Sequence, residues 1–119
     1  MSSTREKGVC GENRAAEFLV SKGYKIIDRN FRNRGGEIDI IAFKEETLVF
    51  VEVKTLPNGS PELLAHELGY SKQNKIIKTA KCYLQKHRQY SNAYVRFDVL
   101  ALDVPGLESV HHIVSAFSE

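Results

Sequence analysis

Apolar and polar positions recur along the chain with two different periods, and the switches between them mark out seven elements. From Glu6 to Lys22 the spacing is helical. With Glu12 as zero on a wheel of about 100° per residue, Val9, Ala15, Ala16, Leu19 and Val20 share one side. Gly23 is placed to terminate this helix in the left-handed conformation. Tyr24 to Arg29 then reads as a short strand and Asn30 to Gly36 as a basic turn. Glu37–Phe43 and Thr47–Thr55 alternate with period two around Lys44-Glu45-Glu46, the pattern of a hairpin. Leu56 to Tyr70 carries Pro57, Gly59, Pro61 and Gly69 and reads as a loop, with a short helical stretch over 62–67. A second long helix is expected over Ser71–Arg88, with Ile76, Ile77, Ala80, Tyr83 and Leu84 as its apolar stripe. Ala93–Val104 and Ser109–Phe117 read as strands separated by Pro105-Gly106. The order α-β-β-β-α-β-β predicts an α/β fold, a central mixed β-sheet flanked by helices.

The hairpin carries the chemistry. A two-residue turn at Glu45-Glu46 pairs Phe43 with Leu48, Ile41 with Phe50, Asp39 with Glu52 and Glu37 with Lys54. One side then holds Ile38, Ile40, Ala42, Val49, Val51 and Val53, all apolar and therefore core. The other side is apolar near the turn and charged at its far end. Two carboxylates directly opposed across a ladder repel, and in a partly buried site one of them must protonate unless a cation bridges them. Oxygen ligands of this kind suit Mg²⁺ or Mn²⁺. Lys54 lies on the same side as Glu52, where an ammonium can hold an attacking water or stabilise charge on a phosphoryl oxygen. Glu12 interrupts the apolar side of the first helix and needs a partner there. A metal or water on the one hand, and a basic side chain or an edge position reaching solvent on the other, are equally suitable. Glu37 is expected either to pair with Lys54 or to be solvated. The bland alternative for the whole group is a charged, solvated sheet end. Its weakness is the matching register of Asp39 and Glu52, flanked by valines and led in by Gly35-Gly36.

These residues also carry a resemblance. GEIDIIA followed by VFVEVK, preceded by GENRAAEFL and Arg29-Asn30 and followed by Arg96-Phe97-Asp98, resembles the bacterial YraN-like family of endonuclease-like proteins over Gly11 to Phe117. That family is placed in the PD-(D/E)XK nuclease superfamily and is similar to archaeal Holliday-junction resolvases. The resemblance implies a restriction-endonuclease-like sheet, Asp39, Glu52 and Lys54 as motif residues, and Glu12 as the helix glutamate that completes the site. It also implies a homodimer presenting two sites to two strands. One departure stands out. The family usually has an Arg two positions after the motif Lys, and here Leu56 occupies that place. Any phosphate contact made by such an Arg is missing.

Net charge is only +2, so a nucleic-acid partner has to be read from local clusters. Lys72, Lys75, Lys78, Lys81, Lys86 and Arg88 fall within the second helix with no acidic residue between Lys72 and Arg88. Lys25, Arg29, Arg32 and Arg34 lead into the Gly-Gly turn. Arg32, Arg34, Lys72 and Lys75 are the expected phosphate contacts. Gln73 either hydrogen-bonds into the site or caps a loop. Distal lysines serve equally well to solubilise a helix.

Arg96 and Asp98 share a strand face and suit an ion pair. His111 and His112 point to opposite faces, so they are not a bidentate pair, and His66 and His87 lack metal-ligand spacing. Cys10 and Cys82 match no CxxC pattern and read as reduced thiols of a cytoplasmic protein. The first residues contain no apolar h-region of a signal peptide, and no apolar run is long enough to span a bilayer. At 119 residues the expectation is one domain over 1–119.

The sequence therefore predicts an Mg²⁺- or Mn²⁺-dependent endonuclease acting on DNA. Asp39, Glu52 and Glu12 would hold metal and Lys54 would position water. The competing class is a nuclease fold kept as a nucleic-acid-binding or adaptor module without turnover. RNA processing by the same residues is a third class.

Overall fold

The computed structural model describes residues 4–119, with side chains from Cys10 onward. Helix α1 (Thr4–Ser21) is followed by strands β1 (Lys25–Asn33), β2 (Gly36–Lys44) and β3 (Thr47–Thr55). Helices α2 (Pro61–Glu67) and α3 (Tyr70–Lys86) come next, and strands β4 (Tyr94–Leu102) and β5 (Val110–Phe117) complete the chain. A single turn of 3₁₀ helix, Arg88–Tyr90, separates α3 from β4. The five strands form one sheet in the order β1-β2-β3-β4-β5. All neighbours are antiparallel except β3 and β4. The α/β architecture and mixed sheet expected from the sequence are present.

The core has two layers because β3 is buried on both faces, as its near-continuous apolar run requires. Ala15 and Leu19 of α1 cover one face, over Ile40, Ala42, Val49, Val51 and Leu100. Ile76, Ile77, Ala80 and Tyr83 of α3 cover the other, over Ile41, Leu48, Phe50 and Phe97. The expected α3 stripe is therefore the real one. The expected α1 side is narrower. Val20 is 57% exposed, because the contact line of the helix runs through Gly11, Ala15 and Leu19 and leaves Val20 a quarter-turn away. Val9 falls among the residues whose side chains are not described.

The β2–β3 turn forms as expected. Glu45 and Glu46 both have positive φ, 51° and 63°, the geometry that matches the twist of a two-residue hairpin. The basic segment 30–36 is mostly strand. β1 continues to Asn33, whose side-chain oxygen accepts from the backbone N–H groups of Gly35 and Gly36 at 2.8 and 3.1 Å and closes a tight turn. Gly36 is needed for packing: a Cβ there would lie 3.1 Å from the Thr79 hydroxyl of α3. Helix α2 starts one residue before the expected stretch, at Pro61, capped by the Ser60 hydroxyl.

Both outer strands are kinked. Asn30 in β1 and Ser115 in β5 have φ of 54° and 52°, and the β1–β2 and β4–β5 ladders each shift register once. On β4, Asp98 has no exposed surface. It accepts from Arg96 Nε and a terminal guanidinium nitrogen, both at 2.8 Å, from the Ser115 backbone at 3.0 Å, and pairs with His112 Nε2 at 2.7 Å. Burial alone would raise this carboxyl, but these bonds outweigh it and hold Asp98 below its ordinary value. The expected Arg96–Asp98 pair is thus one part of a larger clasp between β4 and β5. His112 belongs to it as well.

Left-handed φ disfavours glutamate. Replacing the turn with Glu45→Asn and Glu46→Gly is expected to raise unfolding free energy by about 1 kcal/mol, measured by urea denaturation.

Candidate metal centre

The expected Asp39–Glu52 and Glu37–Lys54 ladder pairs do not form. The β2–β3 ladder runs from Lys44–Thr47 to Ile40–Val51 and stops. Beyond it the Asp39 carboxylate enters the gap between the strands and accepts the Val53 backbone N–H at 2.8 Å. A side chain replaces the carbonyl that would have continued the sheet. Across β2 on the other side, Arg29 pairs with Ile40 and Phe31 with Ile38, leaving left-handed Asn30 opposite Asp39. This kink breaks the alternation that placed Ile38 with Ile40. Ile38 joins the α3-side core with Ile41 and Phe31, and the acidic side chains of this segment turn toward α1.

The result is a carboxylate cradle. One ligand oxygen from each of Glu12, Glu37 and Asp39 lies within 4.8 Å of the other two. Glu12 descends from α1, while Glu37 and Asp39 project from the same side of β2, two residues apart. The basic groups around the trio are Arg29, 3.8 Å from Glu12, and Arg32, 3.3 Å from Glu37. Arg29 also donates to the Asn13 side chain at 2.8 Å, and its Nε is buried with no partner. Of its expected partners Glu12 has the basic side chain, and it also faces the carboxylates of Glu37 and Asp39. Glu37 is neither paired with Lys54 nor merely solvated. The G-E-I-D spacing was the available signal for it, because residues two apart on a strand share a side.

Glu52 is not part of the cradle. It is 7% exposed and follows Phe50 toward α3, where Lys72 Nζ lies 3.5 Å from Oε1. Burial raises its carboxyl, and the charges of Lys72 and Lys54 oppose that rise. Lys72, expected as a phosphate contact, is therefore engaged as a counter-charge. Arg32 likewise faces Glu37. Gln73 donates to the Leu68 carbonyl at 2.7 Å and ties down the loop before α3, the second of its two expected roles. Lys75 stands beside the β1–β2 turn: its carbonyl is 3.7 Å from where a Gly36 Cβ would be. Lys75 and Arg34 are both exposed there.

Asp39 is the electrostatic centre. Burial first, then the charge of Glu52, push its carboxyl up to about 7, with smaller contributions from Glu12 and Glu37 and against the Val53 hydrogen bond. Both strands' carboxylates therefore act on one another although they approach from different sides of the sheet. Three oxygen donors crowded together, only partly balanced by Arg29 and Arg32, suit a hard divalent cation.

Residues 11–102 match the uncharacterised protein family UPF0102. The chain belongs to this family, the YraN-like one. A UPF0102 protein of Treponema pallidum (strain Nichols) is 50% identical over 95 residues, covering 80% of this chain and 75% of its own length. One of Treponema denticola is 44% identical over 123 residues, covering 94% and 95%. One of Clostridioides difficile (strain 630) is 40% identical over 116 residues, covering 97% and 99%. The family match spans α1 to the end of β4, so it includes all four acidic residues of the site and Lys54.

A carboxyl raised in the folded state binds its proton more tightly there than in the unfolded chain. Its contribution to stability therefore falls as pH rises from about 4 through about 7. Asp39→Asn keeps an acceptor for Val53 and removes the charge. In metal-free buffer at pH 8 it is expected to be more stable than the wild type by at least ~1 kcal/mol, with the difference vanishing near pH 4. Thermal unfolding across that range measures this.

Proposed function

We propose that the protein is an Mg²⁺- or Mn²⁺-dependent endonuclease acting on DNA, with the cation held by Glu12, Glu37 and Asp39. The observation that carries this reading is the cradle itself, three oxygen ligands from two elements converging at the split in the sheet. The cation would polarise a phosphoryl oxygen and make a bound water acidic. Lys54, whose charge acts on Glu52, is the ammonium that would orient the water or the phosphate oxygen. Glu52 is the further carboxylate on offer. To join, it must exchange Lys72, which is then free for a phosphate.

Exposed Arg34 and Lys75 beside the β1–β2 turn supply positive charge for the nucleic-acid backbone. Among the described residues no element stands apart for reading bases, which favours structured or branched DNA as the substrate, and a homodimer would present two sites to two strands. We place this activity in the cytoplasm, a reading supported by unbridged Cys10 and Cys82. No helix among the described residues is long and apolar enough to cross a membrane.

Two observations favour a second reading. Lys72 already neutralises Glu52, and Leu56 stands where the family usually has Arg. A site so arranged suits a nucleic-acid-binding adaptor with little or no turnover.

Incubation with branched, duplex and single-stranded DNA and with RNA, in Mg²⁺, Mn²⁺ or EDTA, separates these readings. Metal-dependent DNA cleavage reduced at least ~100-fold by Asp39→Ala and by Lys54→Ala is expected. Binding without cleavage in either metal would establish the adaptor, and cleavage confined to RNA would change the substrate class.

Calorimetric titration tests the ligands. Mn²⁺ affinity is expected to rise with pH through about 7 as Asp39 loses its proton, and to fall at least ~10-fold in Glu12→Gln and in Glu37→Gln. Unchanged affinity in Glu37→Gln would remove that residue from the site.

A further inference from the structure

Helix α1 meets the sheet along Gly11, Ala15 and Leu19, and its flanks face different strands. Glu12 is on one flank, over β1 and β2, close to Arg29 and Asp39. Arg14 is on the other, over the β4–β5 connection. There its guanidinium makes two parallel bonds to the Asp103 carboxylate, at 2.7 and 3.1 Å, and a third to the Ser109 carbonyl at 3.4 Å. The contact line is weak at this end of the helix. Gly11 contributes no side chain, and it lies so close to the sheet that a Cβ would be 2.9 Å from the Thr55 hydroxyl and 3.4 Å from Leu102. At this end of the helix the contact fixes the distance to the sheet but adds little against rotation about the helix axis, which Ala16, Phe18 and Leu19 restrain only further along.

Rotation is what the cradle cannot tolerate. Turning α1 about its own axis swings the Glu12 carboxylate away from β2, whereas sliding Gly11 across Thr55 is blocked. On the Glu12 flank the restraint is Arg29, bonded to Asn13 and facing Glu12, and a cation in the cradle competes with it directly for the Glu12 oxygens. The tie on the Arg14 flank touches no ligand and persists whether or not a cation is bound. Arg14 and Asp103 are 38% and 41% exposed. A pair this open adds little to global stability, but a bidentate guanidinium–carboxylate contact has a fixed orientation.

We propose that the Arg14–Asp103 pair sets the roll of α1 and thereby holds Glu12 in place for a divalent cation, making Arg14 a positioning residue. This rests on the metal reading above. It adds a requirement that no ligand residue expresses, namely that the β4–β5 connection, on the far flank of α1, governs cation affinity.

The test is Mn²⁺ titration by calorimetry on the intact chain, with thermal unfolding of each metal-free variant. Arg14→Gln and Asp103→Asn remove the tie. Asparagine suits residue 103, whose φ is 58°. Each is expected to weaken Mn²⁺ binding on the order of tenfold, the scale seen when groups supporting a ligand are lost, with the melting temperature nearly unchanged. The double variant is expected to be no weaker than either single one, and Arg14→Lys to recover part of the loss. The deciding measurement is Arg14→Gln in a Glu12→Gln background. There it is expected to have no further effect, because Glu12 is the group through which Arg14 acts. Wild-type affinity in Arg14→Gln, or an equal loss with and without Glu12, overturns the proposal while leaving the metal site standing. A wild-type chain that binds no Mn²⁺ overturns the metal reading and this inference with it, whereas a Glu12→Gln chain that binds it undiminished removes Glu12 from the site and overturns this inference.

Discussion

The hydrogen bond from the Val53 backbone to the Asp39 carboxylate decides what this sheet can do. An antiparallel ladder that continued past Ile40 and Val51 would satisfy its own polar groups and leave no opening. With Asp39 in the gap, the Val53 N–H is still satisfied, as a buried donor must be, but by a side chain that carries charge. The opening therefore adds no unpaired backbone donor at Val53. Its electrostatic cost falls on a single carboxyl, which burial and the neighbouring acids raise.

Other features of the centre follow from that opening. Asn30 adopts a left-handed conformation across from Asp39, and Ile38 turns to the α3 side while Glu37 and Asp39 come up beside α1. Glu52 stays in regular strand and reaches the opposite side, so the acidic groups approach from two faces of one sheet. Each face brings its own counter-charge, Arg29 with Arg32 near the cradle and Lys72 near Glu52. The two long helices are thus also the two walls of the site.

Much of this was legible in the chain. The hairpin turn, the ladder beside it and the apolar stripe of α3 followed from periodicity alone, because the strands keep one period as far as Ile40 and the helix keeps one throughout. Asp39, Glu52 and Glu12 were legible as acids in apolar company, and the structure brings Asp39 and Glu12 together. The pairing of Asp39 with Glu52 was not legible, since strict alternation was assumed across a residue whose side chain displaces the ladder. Glu37 was missed for the same reason: its place depends on that kink. Lys72 read as a phosphate contact because its acidic partner Glu52 is distant in sequence, and Arg32 because Glu37 comes beside it only when β1 folds back on β2. The clasp around Asp98 escaped notice because His112 reaches it from a neighbouring strand.

The kinks at Asn30 and Ser115 have a consequence beyond the centre. They interrupt both borders of the sheet, and each border strand also slips its register with the strand inside it. A straight foreign strand laid against either border would lose contact partway along, which discourages open-ended stacking of copies into fibres. Any contact between copies would then have to be made by side-chain surfaces and not by pairing of strand edges.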